Sequence, residues 1–317
     1  MTRLPIYLLV FLCLQVALTS VIYWQRNQQA GPHQTEPLLS FDRDKLDKIV
    51  ITGAEQTESA ILTKDKGAWF LANLNQLPVS QSQLDTALDK LSALTTNWPI
   101  ATTKASHQRF ELQEDNFQRR IQLFQGGNKI ADLLLGSSPG FRKVHLRMLD
   151  NDNVYALPLN TFDFPVKDQQ WLDKSLLAIS AIDSIQGPDY FLIKEQGDWI
   201  LKSPADKTVP LDQDKAVGLA RALSNLRVLE LVTEPPVFVG SAVKTLIVKG
   251  EQQHNYQFLE FEGKYYVKEQ ITDKVFTLNQ IDYQRITGVD LAGLTRSESE
   301  TGTKAESTDK SVPFEIE

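Results

Sequence analysis

The chain has 317 residues, a formal net charge of −7 and one cysteine, Cys13. That length exceeds one typical domain, and the acidic balance sets nucleic acid aside as a partner. With its only thiol inside an apolar N-terminus, the chain has no disulfide framework and must rest on its core.

From Leu4 to Trp24 the run LPIYLLVFLCLQVALTSVIYW carries no charge, and as a helix it rises about 30 Å, the thickness of a bilayer core. Residues 1–24 are therefore predicted to be an uncleaved transmembrane signal-anchor. A cleaved secretory signal has a shorter apolar run and a small-residue site, whereas this run ends in the bulky Ile22, Tyr23 and Trp24. Val10, Phe11 and Leu12 are too large for lipoprotein processing at Cys13. Arg3 and the α-amino group precede the run and Arg26 follows it; with no acid among these residues, −7 less their +2 leaves −9 for the remainder. A single N-terminal anchor before a long acidic domain predicts one pass through the inner (cytoplasmic) membrane, with residue 25 onward in the periplasm.

Residues 25–40 begin QRNQQAGPHQTEP and read as a polar linker. KIVIT, SAILTK and AWFLA then read as antiparallel strands, with Gly67 turning the chain before Trp69. A helix follows: Ser80 and Gln83 resemble a capping box, and Leu84, Leu88, Leu91 and Leu94 mark one face. RRIQLF, IADLLLG, KVHLRM and NVYALPL return to strands. Residue for residue, much of this recurs. Leu62, Lys64, Gly67, Trp69 and Leu71 return as Leu192, Lys194, Gly197, Trp199 and Leu201; Leu91, Ser92 and Leu94 as Leu223, Ser224 and Leu226; Val154, Tyr155 and Leu157 as Val275, Phe276 and Leu278. In the second copy Asp212 caps the helix, Leu219, Leu223 and Leu226 mark its face, and TLIVKG, YQFLEFEG, KYYVKE and KVFTL are the strands. The predicted fold is α+β: a tandem duplication of a mainly antiparallel β-sheet unit with one main helix, after an N-terminal transmembrane helix. The units are expected at residues 41–165 and 166–290, and residues 291–317, charged and almost free of large apolar side chains from about Ser297 until Val312 and Phe314, as a disordered tail.

The linking segment WLDKSLL (Trp171–Leu177) follows VYALPLNTF (Val154–Phe162). With the LLLG strand ending at Gly136, the N-terminal anchor and the LSAL helix, it resembles the bacterial domain-of-unknown-function family 4340, from about Phe41 to Val289. The resemblance implies a membrane-anchored envelope protein encoded beside gliding-motility-type ABC transporter components. It implies no catalytic residue.

Gly136-Ser137-Ser138-Pro139-Gly140 fits the G-x-S-x-G pattern of a hydrolase, with His145 close in sequence. An elbow needs strand, turn and helix, whereas Val144–Met148 alternate like a strand, and Pro139 after Ser138 has no N–H for an oxyanion. A hairpin turn is the better reading. Arg142, Lys143 and Arg147, with Arg119 and Arg120, could form an anion patch only if the strands pair suitably; no P-loop signature accompanies them. His33, His107, His145 and His254 lack ligand spacing. Asp150 and Asp152 lack the glycine and glutamate of a calcium loop and read as a β-turn, with Asp273 in the matching place. Trp69 and Trp199 are expected in the core rather than as stacking platforms; Trp98 and Trp171 lie in connecting segments and are candidates to seal the boundary between units.

No catalytic, cofactor-binding or metal site is therefore expected, and no enzyme activity. The expected function is a periplasmic scaffold or accessory subunit of an ABC-type transport or export complex, with membrane-embedded protein partners. The alternative is an envelope protein binding glycan or peptide between the repeat units.

Overall fold

Turn chemistry and helix amphipathicity set the architecture of this computed structural model, which describes residues 11–12, 15–21, 36–96, 98–203 and 210–295. The chain divides into two compact units: residues 1–73 with 81–170, and residues 74–80 with 171–317. The two-residue strand Leu77–Pro78 belongs to the second.

In the first unit β1 (Lys48–Gly53), β2 (Ser59–Asp65) and β3 (Ala68–Leu71) form a meander. Helices α1 (Gln81–Ser92) and α2 (Lys104–Arg109) follow, then a second meander of β4 (Arg119–Gln125), β5 (Asn128–Leu135), β6 (Val144–Met148) and β7 (Val154–Leu157). These seven strands lie in the antiparallel order β3-β2-β1-β4-β5-β6-β7. The second unit has β8 (Ser184–Gln186), β9 (Phe191–Glu195) and β10 (Asp198–Ser203), helix α3 (Gln213–Ser224), then β11 (Lys244–Lys249), β12 (Gln253–Phe261), β13 (Lys264–Glu269) and β14 (Lys274–Leu278), closing with α4 (Gln280–Thr287) and α5 (Leu291–Leu294). Its order is β10-β9-β8-β11-β12-β13-β14, the same path through the sheet.

Register agrees as well as order. Leu62 faces Leu71 and Lys64 faces Trp69, as Leu192 faces Leu201 and Lys194 faces Trp199. Both hairpins close with a residue pair at positive φ, Lys66-Gly67 and Gln196-Gly197, the two-residue turn whose twist suits antiparallel strands and which favours glycine at its second position. Trp69 and Trp199 are both buried. At the far edge Leu146 faces Tyr155 as Val267 faces Phe276. Helices α1 and α3 each span 12 residues and bury Leu84, Leu88 and Leu91, and Ala216, Leu219 and Leu223, respectively. Asp212 caps α3 by accepting from the N–H groups of Asp214 and Lys215.

The expected alternation of β6 is not observed, because Val144, His145, Leu146 and Arg147 are all buried. The segment before β4 covers that face: Phe110, Leu112 and Phe117 pack with Leu134 and Val154. In the second unit Val232, Phe238 and Val243 pack on Leu259, Tyr266 and Val275 in the same manner. Ala101 also bridges to Val154, and Leu231 to Phe276, so each covering segment protects an edge strand.

The expected boundaries need two corrections. Residues 36–40 are not linker: Leu38 donates to Leu94 O at 2.8 Å, Thr96 donates to Glu36 O at 2.8 Å, and Leu39 is buried. The fold also runs past 290, because Asp290 caps α5, Leu294 is fully buried and Thr295 bridges to Leu211. The rest of the predicted tail lies outside the described residues, as does most of the predicted span from Leu4 to Trp24. Residues 11–12 and 15–21 are helical; among the described residues no helix is long and apolar enough to cross a membrane.

Candidate functional site

The G-x-S-x-G stretch joins β5 to β6, as a hairpin loop should. Ser138 Oγ lies 2.8 Å from Gly140 O and 2.7 Å from Lys143 O, so its hydroxyl holds the loop together. His145 reaches the neighbouring serine instead: Ser137 Oγ is 3.0 Å from His145 Nδ1 and 3.2 Å from Phe110 O. The pairing irregularity at Gly136 and Ser137 decides this, since His145 N donates to Ser137 O while Gly136 N donates to His145 O. The histidine close in sequence to the G-x-S-x-G pattern thus meets Ser137, not the Ser138 at the pattern's central position. Ser138, following Ser137, does carry an N–H, so the missing-donor argument does not extend to Ser137; the strand–turn–helix context is still absent. Burial, reinforced by the Arg109 charge and opposed by the Ser137 hydrogen bond, pushes the His145 imidazole below its ordinary pKa. The Phe110 ring lies 4.5 Å from the imidazole. No carboxylate among the described residues orients this ring, so a serine–histidine–acid arrangement is not formed.

The loop borders a cleft of about 400 Å³ whose lining includes Ser138, Phe141, Arg142, Lys143, Asn160 and Phe162. Phe141 is 86% and Phe162 82% exposed. The Arg142 guanidinium lies 4.7 Å from the Phe141 ring centre, and neither Arg142 nor Lys143 enters an ion pair among the described residues. Asn160 is occupied: its Oδ1 accepts from Phe162 N at 3.0 Å and caps the short 3-10 turn Thr161–Asp163. Phe162 carried no sequence signal of its own. A signal for the loop was present, in the contrast between GSSPGFRK here and EG at the matching hairpin of the second copy.

The other arginines do not join this cleft. Arg119 donates to Phe164 O and Gln118 O, and Arg147 donates to Leu112 O at 3.0 Å. Arg120 grips Asp132 with two bonds of 2.8 Å; Gln122 and Lys129 donate to the same carboxylate at 3.0 and 2.5 Å. Burial alone would raise the Asp132 carboxyl, but these three donors outweigh it and hold its pKa below the ordinary value. A depressed carboxyl contributes its stability above its unfolded pKa of about 4, and loses it as pH falls through the lower folded value. Asp132→Asn is expected to cost about 2 kcal/mol at pH 7, limited by the partial exposure of Arg120 and Lys129. Denaturant unfolding should show that cost shrinking towards pH 2; a deficit independent of pH would contradict this account.

The remaining residues have structural partners. His107 Nε2 lies 3.0 Å from Asp152 O, and His254 Nδ1 lies 3.5 Å from the buried Glu269 carboxylate. No group of metal-ligating side chains occurs among the described residues, and His33 lies outside them. Asp150 and Asp152 lie in the turn after β6, and Asp273, in the matching turn, pairs with Lys268 at 2.8 Å. Trp171 is fully buried, whereas Trp98 is largely exposed.

Comparison with known proteins gives no match to a curated protein and none to a solved structure. One family model, described as a domain of unknown function (DUF4340), matches residues 69–240, from the first repeated tryptophan through Trp171 to beyond α3. The match is narrower than the expected Phe41–Val289, yet it takes in more than half of the 317 residues. The chain therefore belongs to the DUF4340 family of unknown function.

Proposed function

We propose that the protein is a non-enzymatic, membrane-anchored scaffold or accessory subunit of an ABC-type transport or export complex of the gliding-motility kind, with its two units in the periplasm. In this reading the chain is a tandem duplication, supported by the common strand order and register of the two sheets. The anchor is supported by the uncharged run from Leu4 to Trp24 and by Phe11, Leu12, Val16, Leu18 and Val21, all exposed on described helical residues. The observation that carries a partner-binding role is the cleft of the first unit, lined by two nearly fully exposed phenylalanines and by two cations that enter no ion pair among the described residues. Exposed apolar surface of this kind marks an interaction site.

The test is purification of the full-length protein from its native membrane in mild detergent. Transporter subunits should co-purify, and a serine-directed covalent probe should label neither Ser137 nor Ser138. Labelling of either serine, or a protein that emerges without any membrane partner, contradicts the proposal.

A further inference from the structure

We infer that the loop 136–143 and Phe162 form a docking site for an acidic peptide segment of a partner protein, one that also carries apolar side chains; this rests on the partner-binding role proposed above. The inference begins from the two copies of the sheet. Strands β5 and β6 occupy the places of β12 and β13. In the second unit that hairpin closes with Glu262 and Gly263 alone, both at positive φ, whereas the first spends residues 136–143 on it. The fold does not need the longer connection, and a loop beyond what the scaffold requires is where binding residues are placed.

The loop is preorganised. Besides the two acceptors of the Ser138 hydroxyl, Lys143 N donates to Gly140 O, which pairs these two residues across the turn. Arg142 holds φ 55°, a conformation that favours glycine and that an arginine adopts at some strain. Fixing the loop before binding reduces the ordering cost of association. Phe141 and Phe162 offer apolar surface without a polar atom, which suits leucine- or phenylalanine-type side chains better than a hydroxyl-rich sugar. Arg142 and Lys143 supply positive charge on a protein of net charge −7, and the second unit places Glu262 where the first has its cations. The complementary segment is therefore acidic.

The experiment uses full-length protein in detergent and a fluorescein-labelled probe peptide, Glu-Phe-Glu-Leu-Glu-Phe-Glu, read by anisotropy. Saturable binding is expected, several-fold weaker at 0.5 M than at 0.05 M salt because the charges are exposed. The double variants Phe141→Ser/Phe162→Ser and Arg142→Glu/Lys143→Glu should each weaken it at least tenfold without lowering the melting temperature. Phe261→Ser/Ile281→Ser, exposed apolar positions of the second unit, should not change it. Arg142→Gly should bind less well while melting no lower. Equal binding by wild type and both loop variants overturns the inference, as does absence of peptide binding alongside loop-dependent binding to phosphatidylglycerol vesicles. If the loop variants bind peptide normally while transporter subunits still co-purify, only the docking site falls; if no partner co-purifies, the scaffold reading falls whatever the peptide does.

Discussion

Gly136→Ala is expected to destabilise the first unit by about 3 kcal/mol or more. A Cβ at that position would stand 2.0 Å from Phe110 O and 2.6 Å from Glu111 O, both backbone atoms. Neither can step aside cheaply. Ser137 N and its hydroxyl both point to Phe110 O, and Phe110 belongs to the cluster that covers the outer face of β5 to β7. The same chemical change at Gly218, inside α3 with nothing near its Cβ position, should stabilise by about 0.5–1 kcal/mol. Denaturant unfolding of both variants gives opposite signs if the covering segment is packed as described. A Gly136→Ala variant within about 1 kcal/mol of wild type would mean that Phe110 and Glu111 do not approach the loop so closely.

Truncation of the repeated tryptophans is the second large effect. Trp69→Ala and Trp199→Ala should each cost about 3–5 kcal/mol, because each ring is buried on the third strand of its sheet, directly across from a lysine in the same register. The Lys64 ammonium also lies 5.9 Å from the Trp69 ring, but an exposed cation–π contact is worth only about 0.5–1 kcal/mol. Lys64→Ala should accordingly be mild, which separates core volume from charge. A cost below about 1 kcal/mol at either tryptophan would show that the repeated residues do not share a role.

Much of this fold was legible because its signals are local. Two-residue turns demand positive φ, so Gly67 and Gly197 announce hairpins. The 3.6-residue period exposes the buried stripe from Leu84 to Leu94 and its counterpart from Leu219 to Leu226. Signals that depend on distant packing were not legible. His145 and Arg147 look solvent-facing in an alternating strand and are buried only because the irregular chain around Phe110 and Leu112 covers them. Helix α4 escaped notice since it buries only Tyr283, Ile286 and Thr287, too few positions for a clear period. At the loop, the sequence pattern centres on Ser138, whereas the hydroxyl that meets His145 is that of Ser137. A pairing irregularity at Gly136 and Ser137 settles which hydroxyl meets His145, and no residue type encodes that. The basic, aromatic character of Phe141, Arg142 and Lys143 was visible throughout, but its meaning depends on comparison with the two-residue turn at Glu262-Gly263.

The most direct measurement replaces residues 138–143 with Glu-Gly, so that Ser137 and Val144 flank the turn as Phe261 and Lys264 do in the second unit. The loop's own hydrogen bonds, from Ser138 to Gly140 and Lys143, go with it and leave the strands their partners. If the first unit is a scaffold bearing an added docking loop, the exchanged protein keeps its melting temperature to within a few degrees and loses the acidic peptide. An unfolded first unit, or undiminished peptide binding by a folded one, would contradict the account.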